Sequence, residues 1–150
     1  MRLLLPPPLV VLLLAGLMWL VTRTLSFDRF AWPLQAPLAG AFLVLAITLM
    51  AAAGIAFVSH KTTVNPMKPA NASRLITTGI FSFSRNPIYL GDLLLLAALT
   101  IWFGHVTNFA LLPLFVFYIN RFQIEPEEAA LTKLFGGSYV AYQTQVRRWI

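Results

Sequence analysis

The segment His60–Gly91 reads HKTTVNPMKPANASRLITTGIFSFSRNPIYLG and separates strongly apolar parts of the chain. It carries four of the eleven basic residues. A second polar block follows the last apolar stretch, beginning as RFQIEPEE from Arg121 and ending as FGGSYVAYQTQVRRWI from Phe135. Two polar blocks on so apolar a chain predict a site that is built where helices meet the membrane surface.

The composition excludes an ordinary soluble domain. Of 150 residues, 59% are hydrophobic and 11% are charged, and the mean hydropathy is +0.77, whereas soluble chains carry about 25% charged residues. The length allows a single domain, residues 1–150. The absence of Cys excludes disulfides and thiolate chemistry. The net charge of +6 is better explained by membrane topology than by nucleic acid, because the basic residues flank apolar segments and form no nucleic-acid-binding module.

Apolar runs of about 20 residues predict transmembrane helices. Leu3–Thr22 gives the first run and Ala36–Ser59 the second. Asn86–Asn120 carries no charge except Asp92 and is long enough for two short helices. We expect these two to be broken near Gly104–Asn108 and to form an antiparallel hairpin. The sequence therefore predicts an all-α polytopic membrane helical bundle with about four transmembrane helices.

The first apolar run must be distinguished from a signal peptide, because Arg2 precedes it. No small-x-small cleavage site follows in GLMWLVTRTLSF, residues 16–27. Pro6, Pro7 and Pro8 stand where the start of a helix tolerates proline. We expect the first span to be retained.

The basic residues predict the orientation of the bundle. With four spans, nine of the eleven lie on one side and two, Arg23 and Arg29, lie on the other. Lys and Arg favour the cytoplasmic side, so both termini and both polar blocks are expected in the cytoplasm. The nine are Arg2, Lys61, Lys68, Arg74, Arg85, Arg121, Lys133, Arg147 and Arg148.

The C-terminal block is expected to form an amphipathic helical segment on the cytoplasmic surface rather than a fifth span. Pro126 suits the first turn of a helix, and Glu127 and Glu128 would complement its dipole. Apolar residues recur at helical spacing on both sides of Gly136-Gly137. They are Leu131, Leu134, Phe135, Tyr139, Tyr142, Val146 and Trp149.

Three features could carry chemistry, and each has a plain structural alternative. Asn86-Pro87 is a good helix start, so Arg85 is either a positive-inside residue or, with the free N–H groups of that helix, part of an anion site. Glu127 and Glu128 either complement a helix dipole or receive the ammonium or sulfonium of a ligand. Gly79 is either a simple turn or a place where the backbone approaches a ligand closely.

Asp92 is expected one turn into the third span. A carboxylate at membrane depth is costly and is therefore a functional candidate, although it could equally reach the interface or bond a neighbouring helix. The sequence has no HExxH motif, no P-loop and no GxGxxG motif. We therefore predict no catalytic metal and no soluble dinucleotide-binding fold.

The order of these blocks resembles the isoprenylcysteine carboxyl methyltransferase and phospholipid methyltransferase superfamily of integral membrane proteins. The first block supplies Thr63-Val-Asn-Pro66, Leu75 to Phe81, and Arg85-Asn-Pro-Ile-Tyr-Leu-Gly91. The second supplies Glu127-Glu-Ala-Ala-Leu131, Phe135-Gly-Gly-Ser-Tyr-Val-Ala-Tyr142 and Val146-Arg-Arg148. The likeness covers residues 60–150.

The resemblance implies that S-adenosylmethionine binds at the cytoplasmic ends of the last helices. We expect Arg85 and the start of the third span to take the carboxylate of this cofactor, and Glu127 or Glu128 to take its ammonium. Phe81, Tyr89 and Tyr139 are candidates to enclose its adenosine. The full set of predicted cofactor-binding residues is Leu75, Thr78, Gly79, Phe81, Arg85, Asn86, Pro87, Tyr89, Glu127, Glu128 and Tyr139.

The resemblance also implies methyl transfer to a lipophilic acceptor, which is an isoprenoid thiol or carboxylate or a lipid amine. Asp92 is the candidate catalytic residue, as a base or for positioning. A prokaryotic inner membrane is the expected location, with membrane lipids around the protein and its oligomeric state left open. Two alternatives remain at this stage. One is a small four-span transporter or scaffold centred on Asp92, and the other is a membrane reductase, for which the chain is short.

Overall fold

The computed structural model describes residues 5–60 and 74–150, and in those ranges the chain is a helical bundle without a β-strand. Its α-helices are α1 (Pro7–Thr24), α2 (Gln35–Ser59), α3 (Pro87–Phe103), α4 (Leu111–Ile119), α5 (Glu125–Phe135) and α6 (Gly137–Gln145). The predicted all-α fold is confirmed for the part described. The motif Thr63–Pro66 and the basic residues Arg2, Lys61 and Lys68 lie outside the described residues.

Two helices, α1 and α2, are long enough and apolar enough to cross a membrane. α1 begins on prolines, as predicted, because a proline in the first turn loses no hydrogen bond. α3 has 17 residues and α4 has nine, so both are shorter than the ~20 residues that a span usually needs. The four-span topology, and with it the orientation, therefore remains a prediction.

Small residues let α2 and α3 pack closely. Ala39, Ala46 and Ala53 are buried at seven-residue intervals along α2, and Gly91 of α3 lies against this face. A Cβ on Gly91 would stand 2.5 Å from the Met50 Cγ and 3.1 Å from the Ala46 carbonyl oxygen. Such close backbone approach is how helices associate in lipid, where packing rather than exclusion of water holds them together.

The opposite face of α3 packs on α1 and α4. The buried residues of this core are Val10, Val11, Leu14, Met18, Tyr89, Leu96, Phe115, Ile119 and Ile124. Tyr89 belongs to the core and to the set of candidate site residues. Its ring is therefore fixed by packing, and its hydroxyl is presented at one end of the bundle.

The chain turns back between α3 and α4 at the predicted break. Gly104 ends α3 with φ +62, and a 3-10 turn, Val106–Ala110, leads into α4. A Cβ on Gly104 would also collide with the Phe30 carbonyl oxygen, so glycine is needed for both conformation and space. The loop between α1 and α2 is fastened to this turn, because the Asp28 carboxylate accepts hydrogen bonds from the Thr107 hydroxyl and from the Thr107 N–H at 3.1 Å.

α4 does not stop before the C-terminal block but continues into α5 through a π-helical turn, Asn120–Ile124. A proline inside a helix lacks one N–H and crowds the carbonyl four residues earlier, and a local change to π geometry accommodates both effects at Pro126. The predicted helix start is right to within a residue, since α5 begins at Glu125. This start follows the π turn directly, and Glu127 and Glu128 lie in the first turn of α5, as expected.

The predicted apolar stripe of the tail is mostly buried against the protein itself. One cluster holds Leu75, Leu131, Phe135, Tyr139, Tyr142 and Val146. Leu134 is 44% exposed, and Trp149 lies beyond the end of α6, so these two residues leave the stripe. An amphipathic segment lying on the membrane surface remains a prediction.

Candidate functional site

The site begins in the turn that precedes α3. Gly79, at φ +63, opens a 3-10 turn that ends at Ser82, and a residue with a Cβ would be strained there. Phe81 is buried from this turn, and its ring meets the Phe57 ring of α2 edge-on, with 5.2 Å between the ring centres. Thr78 and Gly79 themselves are exposed. The turn therefore forms the exposed edge of the site and contributes one buried aromatic side chain, Phe81, to it.

The N-terminus of α3 has no side-chain cap. Asn86-Pro87 starts the helix as predicted, but the Asn86 amide donates to the Arg148 carbonyl oxygen at 2.9 Å instead of capping. The Leu90 N–H is the first to find a helical acceptor, the Asn86 carbonyl. The N–H groups of Ile88 and Tyr89 are thus without intrahelical partners. A helix end of this kind attracts an anion.

Arg85 lies beside this helix end, in a cluster with Glu128 and Arg148. The Arg85 Nη1 is 3.1 Å from the Glu128 Oε1. Arg148 contacts the same carboxylate twice, from Nε to Oε1 at 3.2 Å and from Nη2 to Oε2 at 2.7 Å. Only 11% of the Arg85 side chain is exposed, and its Nε and Nη1 have no hydrogen-bond acceptor among the described residues. Two guanidiniums against one carboxylate leave a net positive charge with unused donors.

Glu127 has a different partner. The Tyr89 hydroxyl donates to the Glu127 Oε1 at 2.5 Å. Burial raises the pKa of Glu127 to about 7, against the opposing effect of this hydrogen bond, and the neighbouring Glu128 carboxylate raises that pKa as well. Glu127 therefore changes charge near neutral pH, and a cation placed beside it would favour its ionised form.

Two tyrosines of α6 form a wall of the site. The Tyr142 hydroxyl donates to the Phe81 carbonyl oxygen at 2.6 Å, and the rings of Tyr139 and Tyr142 are 6.1 Å apart between centres. Burial raises the pKa of Tyr139 to about 12, the Glu128 carboxylate adds to this rise, and the Arg85 guanidinium opposes it. Tyr139 is therefore a neutral aromatic surface next to the charged cluster.

A non-helical segment, Val146–Trp149, follows α6 and crosses the site, and it is called the C-terminal strap below. The Arg85 N–H donates to the Arg147 carbonyl oxygen at 3.1 Å. The Trp149 indole N–H donates to the Asn120 Oδ1 in the π turn, also at 3.1 Å. The strap thereby joins the start of α3 to the π turn that precedes α5.

The structure brings most of the predicted cofactor-binding residues to one end of the bundle. Those that meet there are Phe81, Arg85, Asn86, Pro87, Tyr89, Glu127, Glu128 and Tyr139. Leu75 packs behind Tyr139, while Thr78 and Gly79 remain at the exposed edge. Asp92 is buried about one helical turn beyond Tyr89, on the same side of α3.

Three residues that shape this site, Arg148, Phe57 and Tyr142, were not predicted from the sequence to belong to it. Arg148 was part of a matched motif, Val146-Arg-Arg148, but nothing in its spacing indicated that it would reach Glu128. Phe57 lies within a long apolar run, where no pattern distinguishes it from its neighbours. Tyr142 was expected only as part of an apolar stripe, so its hydrogen bond to the turn before α3 came from the structure.

Comparisons with known proteins identify relatives of this chain. The model of the phospholipid methyltransferase family matches residues 34–138, which include α2, α3, α4 and α5. An uncharacterized protein of Haemophilus influenzae is 41% identical over 63 residues, which are 42% of this chain and all of that relative. No solved structure matches the chain. Because the family model covers well over half of the residues, the predicted superfamily is confirmed, and the chain belongs to the phospholipid methyltransferase family.

Proposed function

We propose that this protein is an integral membrane methyltransferase that uses S-adenosylmethionine to methylate a lipophilic acceptor at the cytoplasmic face of a prokaryotic inner membrane. The acceptor class is an isoprenoid thiol or carboxylate, or a lipid amine. One observation carries the proposal: a guanidinium whose buried donors have no acceptor among the described residues lies at the start of α3, together with a half-buried carboxyl whose pKa is raised to about 7. The amino-acid end of the cofactor carries one charge to match each of them.

The residues present fit the carboxylate of this cofactor. The Nε and Nη1 atoms of Arg85 are buried and have no acceptor within residues 5–60 and 74–150. A buried donor without an acceptor is costly unless a ligand satisfies it. The free N–H groups at the start of α3 add the positive end of a helix to the same place. A carboxylate bound there would receive charge-assisted hydrogen bonds, which are the stronger kind.

Glu127, rather than Glu128, is the partner that we assign to the ammonium. Glu128 already faces two guanidiniums, Arg85 and Arg148, so its negative charge is already balanced. Glu127 has the neutral Tyr89 hydroxyl as its close partner among the described residues. An arriving ammonium would lower the pKa of Glu127 and gain a full ion pair. Phe81 and Tyr139 offer the aromatic surfaces for adenosine.

The bound cofactor supplies a methyl group on a sulfonium, and the protein supplies binding and alignment. Alignment of reacting groups lowers the activation barrier of such reactions by about 7–11 kcal/mol. Residues that hold both charged ends of the cofactor are therefore sufficient to accelerate methyl transfer substantially. Asp92 lies deeper on the same side of α3. Its proposed role is to position the acceptor, or to take its proton where the acceptor is an amine or a thiol.

Calorimetric titration of the detergent-purified protein tests the cofactor assignment. S-adenosylhomocysteine keeps both charges of the amino-acid end, while methylthioadenosine keeps the nucleoside and loses that end. Wild-type protein should bind the former more tightly, and Arg85→Ala should weaken only the former, by about tenfold or more. Arg74→Ala, at an exposed position in the same loop, is the charge-matched control. Absence of binding to folded wild-type protein would exclude the proposal.

The role of Asp92 needs an assay of turnover. Transfer of a labelled methyl group from S-adenosylmethionine to total membrane lipids should be much slower for Asp92→Asn than for wild type. Thr100→Val is the control, because Thr100 is a buried polar residue of α3 that hydrogen-bonds its own helix at Leu96. Equal turnover of Asp92→Asn and wild type would remove Asp92 from the mechanism.

A further inference from the structure

Glu128 is shared unequally between two arginines. Arg148 holds both carboxylate oxygens with hydrogen bonds of 3.2 and 2.7 Å. The Arg85 Nη1 lies 3.1 Å from the Glu128 Oε1 but makes no hydrogen bond of acceptable geometry with it, and both Nη1 and Nε of Arg85 remain without an acceptor in the described ranges. Glu128 therefore accepts hydrogen bonds from Arg148 and has only an ion-pair contact with Arg85.

We propose that Arg148 is a positioning residue for ligand binding, which keeps Glu128 engaged so that the Arg85 donors stay available for the carboxylate of an incoming ligand. This inference rests on the proposed function, since it assumes a ligand with a carboxylate at Arg85. It assigns Arg148 no contact with the ligand. Its effect passes entirely through Glu128.

The physical reason is competition for one carboxylate. Arg and Glu form their best pairs when two N–H groups face two oxygens. Without Arg148, both oxygens of Glu128 would be free to turn to Arg85, whose side chain is about as buried as that of Glu128. The present ion-pair contact would then become a two-point hydrogen-bonded pair, which would occupy the Arg85 donors that a ligand needs.

The backbone around Arg148 is fixed well enough for this task. Its carbonyl oxygen accepts the Asn86 amide at 2.9 Å, and the preceding carbonyl, of Arg147, accepts the Arg85 N–H at 3.1 Å. The next residue, Trp149, is hydrogen-bonded to Asn120. The C-terminal strap therefore presents the Arg148 guanidinium from a backbone with an anchor on each side, and about a third of that side chain, 34%, is exposed.

A double-mutant cycle on S-adenosylhomocysteine affinity separates this role from direct binding. In the wild-type background, Arg148→Gln should weaken binding about tenfold, the loss expected when charge-assisted hydrogen bonds to the ligand are forfeited. In the Glu128→Gln background, the same substitution should change affinity by no more than about twofold, because no carboxylate is left to compete. Arg148→Lys, which cannot make the two-point contact, should give an intermediate affinity and serves if the Gln variant does not fold.

Two controls make the readout specific. Arg147→Gln removes the same charge from the neighbouring exposed side chain and should leave affinity unchanged. Methylthioadenosine, which has no carboxylate, should bind all variants alike.

Equal weakening by Arg148→Gln in both backgrounds would mean that Arg148 touches the ligand, and parallel loss of methylthioadenosine binding would mean a general structural defect. Wild-type affinity in Arg148→Gln would also overturn the inference while leaving the proposed function intact. Absence of S-adenosylhomocysteine binding to the wild-type protein would overturn both the inference and the proposed function.

Discussion

Glu127 makes the stability of the folded chain depend on pH. Burial raises its pKa from the ordinary 4.5 to about 7, so the fold favours the protonated carboxyl. The sign follows from the pKa being higher in the folded state than in the unfolded state. The stabilising contribution of the protonated group is complete below about pH 4.5 and is lost as the pH rises through about 7. The difference corresponds to up to about 3 kcal/mol.

Glu127→Gln should therefore stabilise the protein above neutral pH. Gln cannot ionise, and its Oε1 still accepts the hydrogen bond that Tyr89 donates to Glu127. At pH 8 we expect a gain of about 2–3 kcal/mol, or roughly 5–10 °C in the unfolding temperature. At pH 4.5 we expect the variant and wild type to be alike. Thermal unfolding in detergent, followed by tryptophan fluorescence at both pH values, measures this difference.

The matched control is Glu125→Gln, which removes the same charge two residues away. The Glu125 carboxylate pairs with Arg121 at 2.6 Å, and both side chains are more than two fifths exposed, so its loss should cost no more than about 0.5 kcal/mol at either pH. If Glu127→Gln gave no stabilisation at pH 8, or the same stabilisation at pH 4.5 and 8, burial of the Glu127 carboxyl would not impose a cost on its ionisation. The same variant is expected to lose affinity for S-adenosylhomocysteine, so stability and binding should move in opposite directions.

Because a ligand ammonium lowers the pKa of Glu127, calorimetry should show S-adenosylhomocysteine affinity rising from about pH 6 to 8 in wild type and staying nearly flat in Glu127→Gln. Gly104→Ala should destabilise by about 3 kcal/mol, since a Cβ there is strained at φ +62 and meets the Phe30 carbonyl. Gly40→Ala, in open space on α2, should instead be neutral or stabilise by about 0.5–1 kcal/mol in the same thermal assay. Asp28→Asn should lower the unfolding temperature at pH 7, because hydrogen bonds to the carboxylate lower its pKa, and this deficit should vanish as the pH falls through that lowered value.

Most of the helical framework could be predicted from apolar runs alone. The predicted second span, Ala36–Ser59, differs from α2 by one residue at its start, because charged and polar residues bound the run on both sides. The break at Gly104 was predicted for a sound reason, since glycine followed by polar residues rarely continues a helix. The fastening of the loop at Asp28 to the turn at Thr107 could not be predicted, because it joins positions that are distant in the chain and share no pattern.

The site was less predictable than the framework. Arg85 and Glu127 could be chosen because charged residues are conspicuous next to apolar spans, and Tyr89 was added by the family resemblance. Which residues pair with each other could not be predicted, since either Glu127 or Glu128 could have faced Arg85. Arg148 lies in a tail with several basic residues, and only the folded path of the C-terminal strap distinguishes it from Arg147.

The π turn explains why these pairings escape a prediction from periodicity. Buried residues of α4 recur every four positions, at Phe115 and Ile119, and the π turn then buries two neighbours, Gln123 and Ile124, of which only Ile124 joins the apolar core. A π turn adds one residue to the helix, which rotates every following side chain by about 100° relative to an uninterrupted α-helix. Without it, the position facing α3 would be Pro126, and with it that position is Glu127, which meets Tyr89. The extra residue is therefore what brings a carboxyl to the start of α3, and a regular helical projection of the sequence would place a pyrrolidine ring there.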